Sequence, residues 1–136
     1  MQIDNRVAIV TLLALLVYFW TSVRVARMRH KHGVSAPAVT GAAEFERAYR
    51  VQMNTLEWLP LFLPSMWLFA WYWNGVIAAA AGVVWILARI YYALAYVKDP
   101  ARRGPGFGLQ ALATFVLLFG ALGKAAYLAA TGGAAG

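Results

Sequence analysis

Four apolar stretches, each close to the roughly 20 residues an α-helix needs to cross a bilayer, decide what this chain can become. They run from about Val7 to Ala26, Val51 to Trp73, Val76 to Val97 and Phe107 to Ala130. The whole chain has 136 residues, room for one domain. Hydrophobic residues make up 62% of it and charged residues 12%, about half the charge of an average soluble domain. In water such a surface would be adhesive over most of its area. Lipid solvates it, provided each segment satisfies its own backbone, as a helix does. The expectation is an all-α, integral membrane four-helix bundle, one membrane domain over 1–136 with helices at about 7–26, 45–73, 76–97 and 107–130.

The first stretch is read as a retained helix, not a signal peptide. Its start, Met1 to Arg6, is a weak basic region, its arginines (Arg24, Arg27, Arg29) stand at and beyond the far end of the apolar run, and no small-residue cleavage pattern lies between. Loop two, Trp73-Asn74-Gly75, is a tight turn that makes helices two and three antiparallel neighbours. Loops one (about 27–44) and three (98–106) hold six of the twelve Lys and Arg, and loop two holds none. With a bacterial inner membrane as the expected location, the positive-inside rule puts both loops in the cytoplasm and both termini outside. The tail, Thr131 to Gly136, is small-residue and reads as a frayed end.

The formal net charge is +7. On a soluble protein that would point to nucleic acid. Here half of the basic residues sit in two short blocks between apolar runs, and the rest are scattered. They read as topology signals and contacts to anionic membrane lipids, and no nucleic-acid partner is expected. There is no cysteine. That excludes disulfides, thiolate metal sites and a cysteine nucleophile, so any thiol chemistry must use a thiol brought by a substrate.

Helix two carries polar residues inside its apolar frame. Arg47, Arg50, Asn54 and Glu57 fall three, four and three apart, on one face of a helix, with Gln52 off that line. Helix three repeats the pattern with Arg89, Tyr92 and Tyr96, and Arg103 follows beyond it. The tight turn brings the end of helix three back beside the start of helix two, so the two stripes share a depth. Ionisable groups there cost about 2.5–3.5 kcal/mol each near the bilayer centre and must face protein or a wet cavity. A bland account pairs Arg47 or Arg50 with Glu57 and lets Arg89 snorkel to the headgroups. Six such residues on facing stripes point instead to a small zwitterionic or anionic ligand. Arginine forks onto carboxylates, Glu57 takes an amino group, and tyrosines donate.

Other chemistry finds no support. His30 and His32 lack ligand-spaced partners, so no metal is expected. Ser22, Ser35 and Ser65 lack a nucleophile-elbow context. Gly104-Pro105-Gly106-Phe107-Gly108 follows no strand and reads as a turn. Gly120 and Gly123 read as close-packing positions.

The string Pro37-Ala38-Val39-Thr40-Gly41, then Phe45-Glu46-Arg47-Ala48-Tyr49-Arg50-Val51-Gln52-Met53-Asn54 and Glu57, resembles the MAPEG family, membrane-associated proteins in eicosanoid and glutathione metabolism. Arg89, Tyr92, Tyr96 and Arg103 match a second block. The likeness is nearest to the branch of microsomal glutathione S-transferase 2 and leukotriene C4 synthase. It implies a homotrimer with glutathione as co-substrate, bound between subunits near the cytoplasmic side. It places Arg50, Asn54, Glu57, Tyr92 and Tyr96 at glutathione-holding positions, with Arg89 in the same block. Arg29 and Gln52 fall on positions that contribute from the neighbouring subunit. Arg103 falls on the arginine that supports the thiolate. An apolar small molecule or lipid would be the second substrate. Three departures stand out: Trp58, at a binding position, replaces a common tyrosine, His30 replaces a loop arginine, and Asp99-Pro100 interrupts the approach to Arg103. The expected activity is glutathione transfer, with lipid hydroperoxide reduction beside it. The alternative is a non-catalytic lipid-binding scaffold of the same superfamily.

Overall fold

A computed structural model describes residues 2–133; of the tail expected to fray, Thr131 is helical and Gly132 caps that helix, while 134–136 lie outside the described residues. Four helices follow one another: α1 (Asn5–His32), α2 (Ala43–Tyr72), α3 (Gly75–Lys98) and, after a 3-10 turn at Pro100–Arg103, α4 (Gly104–Thr131). α2 packs against α1, α3 and α4, and α3 also packs against α1 and α4. The pair α2/α3 is therefore the centre of the bundle, with α1 and α4 on opposite sides. α1, α3 and the segment that includes α4 are long and apolar enough to cross a membrane. α2, expected above as a span of the same kind, has the length but not the hydropathy. Its polar stripe, Pro60 and Pro64 dilute it, and it compensates by lying inside the bundle.

Helix ends follow local chemistry. The Asp4 carboxylate accepts from Arg6 N at 3.0 Å and starts α1. α1 runs past Ala26 to His32, further than its apolar stretch. Arg29, His30, Lys31 and His32 complete its last turn, where cations suit the helix dipole, and Gly33 ends it at φ 66°. The Asn74 side chain accepts from Val76 N and Ile77 N and opens α3 directly after the turn. α4 begins at Gly104, three residues before the expected Phe107, because Pro105 fits a helix's first turn. Lys31 and His32 both meet Glu44, at 3.2 and 3.4 Å, and tie α1 to α2. The Lys31 ammonium beside Glu44, seconded by His32, holds its carboxyl below the ordinary carboxylate range.

The core is aliphatic and aromatic. Phe62 and Trp85 stack at 4.3 Å between α2 and α3, surrounded by Val10, Met66 and Leu117. Gly82 lets α3 approach: a Cβ there would sit 2.5 Å from Val10 Cγ1 and 2.7 Å from Met66 Sδ. Gly120 takes the Phe69 ring in the same way, while Gly123 faces open space, so only the first is a packing position. Polar cross-links are few. Trp67 Nε1 donates to Thr11 Oγ1 at 2.9 Å and joins α2 to α1. Trp67→Phe keeps one aromatic ring but deletes the bond and part of the indole's packing. It should cost about 1–2 kcal/mol, read as a lowered melting temperature in detergent with ligand binding unchanged. Large apolar side chains such as Leu12, Phe19, Leu87, Leu112 and Phe119 point outward, a surface suited to lipid or to further copies of the chain.

Candidate functional site

A cavity of about 700 Å³ opens at the basic end of the bundle. That is within the size range of small-molecule sites. α2 supplies Glu46, Tyr49, Arg50, Met53, Asn54 and Glu57; α3 supplies Tyr92 and Tyr96. Arg103 closes it from the 3-10 turn, with Gly104 and Phe107 of α4, and Val39 and Thr40 come from the loop before α2. The lining carries two arginines and two carboxylates, a balance that fits a ligand bearing both signs of charge. Tyr92 and Tyr96 are buried at the back, their rings 5.6 Å apart, while Arg50, Glu57 and Arg103 are exposed.

Arg103 reaches this wall because of the Asp-Pro break. α3 ends at Lys98, and the carboxylate of Asp99 after it accepts from Ala101 N at 3.0 Å and caps the 3-10 turn that Pro100 begins. Proline at the first position of a turn needs no N–H partner. The interruption thus folds the chain over the cavity and leaves Arg103 in its lining. Arg47 helps to hold that corner: its Nη1 donates to Val97 O at 3.2 Å, in the last turn of α3. Among the described residues neither Arg47 nor Arg50 forms an ion pair with Glu57.

Of the residues singled out from sequence, the cavity brings together Arg50, Asn54, Glu57, Tyr92, Tyr96 and Arg103. Five stand outside its lining in the single chain: Arg47, on Val97 O, and four more. Arg29 donates to Ala38 O at 2.6 Å and lies over the Phe45 ring. Gln52 donates to Ser22 Oγ at 2.8 Å. Trp58 packs edge-on against Phe107 and Phe115, one layer behind the wall. Arg89 does not snorkel: it is 1% exposed and donates to Asn54 Oδ1 at 2.9 Å and Thr55 Oγ1 at 2.8 Å. Glu46, Tyr49 and Met53 went unremarked as site residues although they continue the α2 stripe at the same spacing. Val39, Thr40, Gly104 and Phe107 had no periodic signal to find them.

An all-helical bundle of bilayer length, with a polar, charge-balanced cavity at one end, has the architecture of a helical membrane protein. The MAPEG family model matches residues 7–123, and the chain belongs to that family. It is 48% identical over 115 residues to an uncharacterized Synechocystis protein, covering 85% of this chain and 84% of that one. It is 40% identical over 107 residues to microsomal glutathione S-transferase 2 of Mus musculus, covering 79% and 73%. Leukotriene C4 synthase of Cavia porcellus is 39% identical over 111 residues, covering 82% and 74%.

Proposed function

We propose that the protein is a membrane-bound glutathione transferase that joins the glutathione thiol to a hydrophobic electrophile arriving from the lipid, and that the same site reduces lipid hydroperoxides to alcohol and water with two glutathione thiols, which leave as their disulfide. The observation that carries this is one cavity lined by Arg50, Asn54, Glu57, Tyr92, Tyr96 and Arg103. Glutathione bears two carboxylates, one ammonium and one thiol. Arg50 forks onto a carboxylate, Glu57 takes the ammonium, Tyr92 and Tyr96 offer hydroxyls, and Arg103 stands by the sulfur. A fixed cation lowers a thiol's pKa from about 8.5 and raises the thiolate fraction at neutral pH. The thiolate forms the new S–C bond, and the leaving group departs with its electron pair. The similarity to a glutathione S-transferase and to leukotriene C4 synthase supports the same chemistry.

The working unit is a homotrimer in a bacterial inner membrane, with loops one and three cytoplasmic and both termini outside. The exposure of Arg50, Glu57 and Arg103 in the single chain leaves room for a neighbour, whose Arg29 and Gln52 complete the site. Trp58 supports the wall through Phe107. Purified protein should raise ultraviolet thiolate absorbance when glutathione is added and should conjugate chlorodinitrobenzene. Glutathione binding without conjugation would favour the scaffold alternative. No binding and no thiolate would end the enzyme reading.

A further inference from the structure

Arg89 is the one charged side chain among the described residues that is fully buried. It touches no carboxylate and stands outside the cavity lining. A charge so placed inside an apolar bundle is expensive and marks function by default. Its two arms reach adjacent residues of α2. Nη1 donates to Asn54 Oδ1 at 2.9 Å and Nη2 to Thr55 Oγ1 at 2.8 Å. Thr55 passes its own proton to Val51 O at 2.7 Å, so its oxygen can only accept from Arg89. The guanidinium is held at both ends and cannot turn. Its carbon also lies 4.5 Å from the centre of the Tyr92 ring, a cation–π contact beneath a second cavity residue.

This geometry dictates what Asn54 shows the cavity. A guanidinium has donors and no acceptor, so the Asn54 atom that faces it must be the carbonyl oxygen. With Oδ1 engaged, the polar atom that Asn54 keeps for the cavity is Nδ2, a donor. A carboxamide with no partner would present either end, and its oxygen would repel a carboxylate.

We propose that Arg89 is a positioning residue that fixes the Asn54 carboxamide from behind the wall, with its NH2 turned to the ligand, so that this part of the site accepts a carboxylate or peptide carbonyl of glutathione. The proposal rests on the glutathione reading above. It differs from a direct contact, because Arg89 acts only through Asn54, and the difference is measurable.

The test is a double-mutant cycle in detergent-solubilised protein, with glutathione affinity read by calorimetry. Arg89→Met should weaken glutathione about tenfold, the effect of losing one oriented bond to a charged group. Asn54→Ala should do the same, and the double variant should be no worse than Asn54→Ala within about threefold. The loss should appear in KM for glutathione, with kcat at saturation nearly unchanged, because Arg103 is untouched. Arg89→Lys, which keeps a donor, should be intermediate. Fully multiplicative losses, or an Arg89→Met variant with wild-type affinity, overturn the proposal. If Arg89→Met does not fold, Asn54→Asp decides. It keeps a partner for Arg89 but offers only acceptors, so affinity must fall about tenfold or more; wild-type affinity overturns the proposal. Wild-type protein that binds no glutathione is a separate result. It removes the functional reading, and this inference with it.

Discussion

Arg103→Ala should lose about 25-fold of its conjugation rate at pH 7 and almost none of it at pH 9. The size follows from ionisation. A free thiol with a pKa near 8.5 is only about 3% thiolate at pH 7. A fixed guanidinium that lowers the pKa by about two units raises that to about three quarters. Without Arg103 the fraction returns to the free value. At pH 9 a free thiol is itself about three quarters ionised, so the two proteins converge. The sign is fixed: the defect is largest below the free thiol's pKa and closes as pH rises through it. Lower intrinsic nucleophilicity of a low-pKa thiolate trims the difference further. Arg103→Lys, which keeps a cation, should retain part of the rate. The measurements are chlorodinitrobenzene conjugation across pH and thiolate absorbance in the binary complex. A defect that is the same at pH 7 and pH 9 would mean that Arg103 acts by some route other than ionising the sulfur.

That prediction depends on a residue that helical periodicity could not place. Arg50, Asn54 and Glu57, and opposite them Tyr92 and Tyr96, were legible because a helix brings every third or fourth residue to one face and Asn74-Gly75 leaves room only for an antiparallel return. The same rule reaches Glu46, Tyr49 and Met53, but tyrosine and methionine in an apolar helix ordinarily mean packing. Arg103 lies past the end of α3, and its position depends on how Asp99 and Pro100 turn the chain. Only the family resemblance pointed to it. Arg47 sits on the polar stripe yet leaves it, because the carbonyl of Val97 at the end of α3 lies within reach. Arg89 sits one turn further from the basic end of α3 than Tyr92 and turns inward to α2. Stripes can be counted from sequence, whereas the choice of partner for each long side chain is a three-dimensional matter.

The glycines at the start of α4 give the sharpest packing test, because two of them on one helix should respond in opposite ways. Gly106 is buried against α3: a Cβ there would lie 2.9 Å from Tyr92 N and 3.0 Å from Ala88 O. Both neighbours are helix backbone, which cannot rotate aside as a side chain can. Gly106→Leu must therefore push α4 off α3, and its cost belongs at the upper end of overpacking, about 3 kcal/mol or more. The same displacement carries Gly104 and Phe107 out of the cavity wall and pulls on Arg103, so glutathione binding should fall with stability. Gly108 faces open space, with nothing within 4 Å of its Cβ position. Gly108→Leu should be neutral or stabilising by up to about 1 kcal/mol, since leucine favours helix over glycine. Thermal unfolding in detergent, paired with glutathione titration, separates the two. If Gly106→Leu melts and binds like the wild type, α3 and α4 do not meet as described, and the wall of the cavity must be drawn elsewhere.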